Sequence, residues 1–276
     1  MTAALAGTPA ETDVLSVQFG LVELDLLATH AGAPAPFPLR VPSFGRIPGE
    51  RAVLLDTAAH ALRLRGLADD TGPLGVAAEL VTALREYRGA VDLVAVTEER
   101  VIGAVALVYR SSALICTQDL SAGELATVAV RQVADTALAA ALRPLVPSVP
   151  PAKTMPVMLP SQVVDAASQL VAAATGDAEL AQRLRDLMRD HGGDPDALDQ
   201  LTGLLTALTG RGQLGVTRRA GGGSERAGTE LSWLDGPRGR VRVYRGADGW
   251  TSVNPLRPAA LRHTLDDLAM IARERR

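Results

Sequence analysis

The chain has 276 residues, which suits one large domain or two small ones and lets it bury a sizeable core without metals or cross-links. A net charge of −3 argues against a nucleic-acid-binding protein, and a single cysteine, Cys116, excludes an intrachain disulfide. Apolar residues make up 47% of the chain but aromatics only 3%, so the core must be built from Ala, Leu and Val.

Residues 1–13 are rich in Ala, Thr and Pro and are expected to be disordered. They lack a basic stretch followed by an apolar one, so no secretory signal is expected. No apolar run approaches the ~20 residues that span a bilayer, which predicts a soluble, cytoplasmic protein. Residues 14–21 predict a first strand and 23–31 a short helix, stopped by Gly32 and Pro34. The prolines of Ala33-Pro34-Ala35-Pro36-Phe37-Pro38 hold the next segment extended. Pro48 opens a helix over 49–65, with Val53, Leu54, Ala58, Ala61 and Leu62 at helical spacing. Pro73 opens another, with Val76, Leu80, Val81, Leu84 and Tyr87 on one side, ended by Gly89.

Strands over 91–96 and 101–110, joined by Thr97-Glu98-Glu99-Arg100, read as a hairpin. The second is apolar on both faces and belongs in the middle of a sheet. A third, over 113–117, contains Cys116, which reads as a buried, inert thiol. Ser121 followed by Glu124 fits a capping box and predicts a long Ala-rich helix that stops by Arg143, before Pro144.

The Pro-rich stretch over 144–160 is the joint between two halves. Helices are expected over 161–174, from Asp177 to His191 and from Asp194 to Gly210, three in succession that form a small bundle. Strands follow over 213–218, 230–234, 240–245 and 250–253, with a flexible Gly-rich loop over 220–224. A closing helix carries Leu256, Leu261, Leu265, Leu268 and Ile271. In 240–245, strict alternation puts Val241 and Val243 on one face and Arg240, Arg242 and Tyr244 on the other. The arginines Arg238, Arg240, Arg242 and Arg245 read as the wet face of an edge strand, their charge blocking edge-to-edge association; the rival reading is contact with an acidic partner or a phosphate. Trp233 and Trp250 are either partner anchors or core fillers.

The order of elements repeats. Pro38-Leu39-Arg40-Val41-Pro42-Ser43 opens the first series, and Met155-Pro156-Val157-Met158-Leu159-Pro160 opens the second. This predicts an α+β fold: a pseudo-two-fold duplicated unit with a central, mainly antiparallel sheet flanked by helices, and a C-terminal helical bundle. Its halves, 14–146 and 147–276, form one domain.

Catalytic constellations are missing from the sequence. There is no P-loop, no Gly-x-Gly-x-x-Gly fingerprint and no Gly-x-Ser-x-Gly elbow. His30, His60, His191 and His263 are scattered without partners at metal-ligand spacing. No catalytic residue, cofactor site or metal site is therefore assigned. Two alternatives stay open: an enzyme using Arg51, Asp56 and His60 on one helix, and a regulator that binds a small ligand between the halves near 144–160.

Pro36-Phe37-Pro38-Leu39-Arg40-Val41-Pro42-Ser43-Phe44-Gly45, followed by Gly49-Glu50-Arg51, resembles a hallmark of the EspG family. So do Gly212-Gln213-Leu214-Gly215-Val216, Trp233-Leu234-Asp235 with Gly239-Arg240, and Trp250-Thr251-Ser252-Val253-Asn254-Pro255. EspG proteins are chaperones of ESX (type VII) secretion in actinobacteria. The resemblance implies a cytosolic, non-enzymatic adaptor without cofactors that covers an apolar tip of a PE–PPE-like helical heterodimer or a related ESX substrate. It implies neither nucleic-acid binding nor membrane insertion, and the chain is expected as a monomer or weak homodimer. Contact through the central sheet and the C-terminal bundle makes Trp233, Arg240, Arg242, Tyr244 and Gln213 the expected partner-binding residues.

Overall fold

The computed structural model describes residues 16–173, 182–183, 186–187, 195–220 and 223–274. The disordered segment expected over 1–13, the strand start at Val14 and most of the helix expected from Asp177 to His191 lie outside the described residues.

A short strand β1 (Val17–Gly20) runs directly into helix α1 (Leu21–Ala31), where the Glu23 carboxylate accepts from the Gly20 amide at 2.8 Å. Helices α2 (Pro48–Leu64) and α3 (Gly75–Glu86) follow. Four strands then form a meander: β2 (Gly89–Thr97), β3 (Val101–Tyr109), β4 (Ser112–Asp119) and β5 (Thr127–Ala134). A one-turn helix α4 (Leu138–Leu142) closes the first half. The second half begins with β6 (Val157–Pro160), again running directly into a helix, α5 (Ser161–Ala173). After α6 (Pro195–Leu205) comes a second meander: β7 (Gly210–Ala220), β8 (Gly223–Gly236), β9 (Gly239–Arg245) and β10 (Trp250–Pro255). Helix α7 (Pro258–Arg273) ends the fold.

Among the described residues the strands form one ten-stranded sheet ordered β1-β5-β4-β3-β2-β7-β8-β9-β10-β6, with every neighbouring pair antiparallel. Outward from the central β2–β7 pair, the two sides follow the same plan: four meander strands, then the short strand that opened the half. The α+β class and the antiparallel sheet are as expected. The element that corresponds to Val157–Pro160 is β1, however, and not the Pro38–Ser43 segment, which is coil.

The two sheet faces are covered differently. On one, α4 and α7 lie across the middle, and α7 inserts Leu265, Leu268, Ala269 and Ala272 onto Val91, Leu93, Leu214, Val216 and Leu231. The i, i+3, i+4, i+7 spacing of those α7 residues makes a single apolar stripe, and each fully buried leucine contributes roughly 1.5–3 kcal/mol. On the opposite face, α1 and α3 cover β3, β4 and β5, while α5 and α6 cover the outer strands of the second half around Val157, Leu159, Val241 and Val253.

The helix expected from Ser121 is absent. The chain makes a short 3-10 turn at Gly123–Leu125 and then strand β5, whose Val128 and Val130 are buried. Ser121 does not cap a helix; its amide donates to Asp119 Oδ1 at 2.9 Å, closing a turn. Strand β9 is also not an edge strand, since β8 and β10 flank it.

The Pro38–Ser43 segment is held against the first half by buried polar side chains. Gln118 accepts from the Arg40 amide at 2.7 Å and donates back to the Arg40 carbonyl at 3.1 Å. Asp25 accepts from the Phe44 amide at 2.8 Å and from Arg51 at 2.6 and 3.0 Å.

Candidate functional site

In the middle of the sheet, the face opposite α7 forms an open floor. Residues of β2, β7 and β8 that point toward α7 are buried, among them Leu93, Leu214 and Leu231. Their neighbours on the other face, Val94, Val96, Gln213 and Ser232, are only half-buried, and Arg211 and Glu230 are exposed. The first-half helices pack mainly on β3, β4 and β5, and α5 and α6 on β6 and β10, so that among the described residues a strip between the two helix layers stays uncovered.

A polar row runs across this strip. Asp92 is only 4% exposed, and Arg226 reaches over from β8 to donate to both of its carboxylate oxygens, Nη2 to Oδ1 at 3.1 Å. Arg226 Nε also meets Glu230 at 2.9 Å, and Gln213 donates to the other Glu230 oxygen at 3.1 Å. Burial pushes the Asp92 carboxyl above its ordinary value, against the pull of Arg226. Gly215 makes the row possible, because a Cβ there would stand 2.6 Å from the Arg226 guanidinium. The floor is thus an ion-paired platform with valines at its margin.

Of the residues expected to touch a partner, the structure brings four together on one face, Trp233, Arg240, Arg242 and Tyr244, and leaves Gln213 apart on the other. Gln213 lies on the open floor. Trp233 points the other way into the α7-side core, 1% exposed, and its ring packs so closely on Gly212 that a Cβ there would be 2.0 Å away. Arg240 is 2% exposed and fully engaged by Asp235 at 2.6 and 2.7 Å, its guanidinium 5.1 Å from the Trp233 ring centre. Both Trp233 and Arg240 are thus buried in this fold. Arg242 and Tyr244 share their face of β9 but remain accessible, Tyr244 at 44%, with the Arg242 guanidinium 5.4 Å from the Tyr244 ring centre.

The enzyme alternative finds no support in the geometry. Arg51 is committed to Asp25, and Asp56 and His60 are exposed. Among the described residues there is no cluster of three His, Cys, Asp or Glu side chains that could hold a metal. Burial pushes the Cys116 thiol up to about 12, the opposite of what a nucleophile needs.

The model of the EspG family matches residues 21–267. The chain belongs to the EspG family. The same architecture is seen in the Mycobacterium tuberculosis type VII secretion system chaperone EspG5, solved in complex with a PE25–PPE41 dimer. That match has 13% identity and a TM-score of 0.65, and covers 92% of this chain and 95% of that one. At that identity the likeness establishes the fold. No curated protein matches this EspG chain. No described helix is long and apolar enough to cross a membrane.

Two functional features of the EspG chain escaped the sequence reading. Asp92 sits in an apolar strand run, and Arg226 lies between the Gly-rich loop over 220–224 and the strand expected over 230–234, yet they meet across 134 positions. The one available signal was Asp92 itself, a carboxylate inside Val91-Asp92-Leu93-Val94-Ala95-Val96, which demands a cationic partner.

Proposed function

We propose that this chain is a non-enzymatic chaperone of a type VII secretion system that works in the cytosol. It binds a PE–PPE-like helical heterodimer and covers an apolar tip of the PPE-like subunit before export. Membership of the EspG family supports this reading, and so does the fold shared with a chaperone solved in complex with a PE–PPE dimer. The observation that carries it is the central floor, which the flanking helix layers leave uncovered among the described residues. A wide antiparallel platform supplies rigidity, and its ion-paired row with valine margins offers the mixed polar and apolar chemistry of a non-obligate interface.

In this reading the two halves, 14–146 and 147–276, act as one domain, because the platform is built across their junction. Gln213 and its floor neighbours contact the cargo, while Arg242 and Tyr244, on the reverse face, do not. Co-expression with PE–PPE-like pairs encoded beside this gene, followed by size-exclusion chromatography, tests the function. A stable complex with one heterodimer, over an interface on the order of 1,000 Å² or more, is expected. Failure of every such pair to co-elute overturns the reading.

A further inference from the structure

On the reverse side of the sheet, between the segment joining the halves and the start of α7, lies a groove of about 420 Å³. That size falls in the ~300–1,000 Å³ range of ligand-binding clefts. Its walls are apolar, with Val146 and Val149 on one side and Leu256 and Leu261 on the other, and two exposed arginines, Arg143 and Arg262, line it. Among the described residues neither arginine has an ion-pair partner, and no Asp or Glu lines the groove. Both walls are fixed by one residue. The Arg240 amide donates to the Pro150 carbonyl at 2.7 Å, and the Arg240 carbonyl accepts from Ala152 at 2.9 Å and Leu256 at 3.0 Å. The groove is therefore preformed, and the Arg240 side chain, already paired with Asp235, leaves Arg143 and Arg262 as its available charges.

We propose that this groove docks a linear segment of a second protein that combines carboxylates with apolar side chains. Charge complementarity selects that occupant. A bare anion would leave the half-buried Val149 and Leu261 unused, and a purely apolar segment would cover two guanidiniums without pairing them, which is costly. A segment carrying both kinds of group satisfies the walls and the arginines together, each carboxylate contact being charge-assisted. The groove lies on the opposite sheet face from the cargo floor, so the two partners do not compete. The proposal goes beyond the cargo reading and does not depend on it.

The test probes an array of random decapeptides with the full chain and then measures selected peptides by fluorescence anisotropy. Bound peptides are expected to be enriched in Asp and Glu close to Leu, Val or Phe. The double variant Arg143→Glu/Arg262→Glu is expected to weaken them about tenfold or more, and Arg143→Gln/Arg262→Gln to act in the same direction if charge reversal disturbs folding. Arg242→Glu, on the same face but outside the groove, is expected to change nothing. The proposal is overturned if no peptides bind, if bound peptides show no acidic enrichment, or if both double variants bind as the native chain does. Complete displacement by inorganic phosphate overturns it too, since that marks a simple anion site.

Discussion

Asp235 and Arg240 face each other across the β8–β9 hairpin as a buried, two-pronged ion pair, Oδ1 to Nε at 2.6 Å and Oδ2 to Nη2 at 2.7 Å. The pair lies beside Trp233, and the Arg240 backbone ties down the segment joining the halves. Removing one member strands the other without water. Asp235→Ala is expected to lower the unfolding free energy by about 3–5 kcal/mol, read by urea denaturation. A loss below about 1 kcal/mol would show that the hairpin does not rely on the pair.

Gly212 is a second point of strain-free contact that any side chain would spoil. Its missing Cβ leaves room for the Trp233 ring, which is buried and cannot swing away. Gly212→Ala is expected to cost about 1–3 kcal/mol by overpacking, and a smaller residue at Trp233 is expected to return part of it. Thermal melts of the single and double variants check this. Additive losses would contradict it.

The Asp92 row gives a pH signature. Burial raises the Asp92 carboxyl above the ordinary 3.8, so its protonated form is the better-tolerated one in the folded state. Its contribution is greatest below 3.8 and is lost as pH climbs through the raised folded value. Asp92→Asn removes this titration. Relative to the native chain, the variant is expected to gain stability as pH rises from 3.8 toward neutrality, measured by urea melts across that window. A pH-independent difference, or one of opposite sign, contradicts the assignment.

Cys116 should behave as an inert marker of unfolding. The thiol is fully enclosed and its pKa pushed up to about 12 by burial. A thiol reagent such as dithionitrobenzoate is expected to leave the native chain unlabelled and to react at the rate of global opening in urea. Rapid labelling in buffer would contradict the burial.

Local patterns carried most of the fold. The hairpin of β2 and β3 was legible in two apolar runs joined by a charged turn, and α7 in leucines spaced for one stripe. Strand β5 was not, because Ser121 and Glu124 imitate a helix start and the following alanines reinforce it. The period-two pattern of Val128 and Val130 was the signal that outweighed them. The wet-edge reading of Arg240 failed for a different reason. Whether a strand is an edge depends on pairing order, which is non-local, so only the completed sheet shows β9 enclosed. The hairpin itself held a clue, since Asp235 and Arg240 flank a tight Gly-Pro-Arg-Gly turn and must come opposite each other. The open floor had no sequence signature at all, because an uncovered strip is defined by where helices from two distant segments stop.

The most direct test of the account is site-specific photocrosslinking in a complex with a PE–PPE-like heterodimer. A benzophenone amino acid placed at Gln213 or Ser232 samples the floor, and one at Tyr244 or Arg242 samples the reverse face. The account predicts crosslinks to the PPE-like subunit from the first pair and none from the second. Crosslinks from Tyr244 or Arg242 with silence at Gln213 and Ser232 would contradict it.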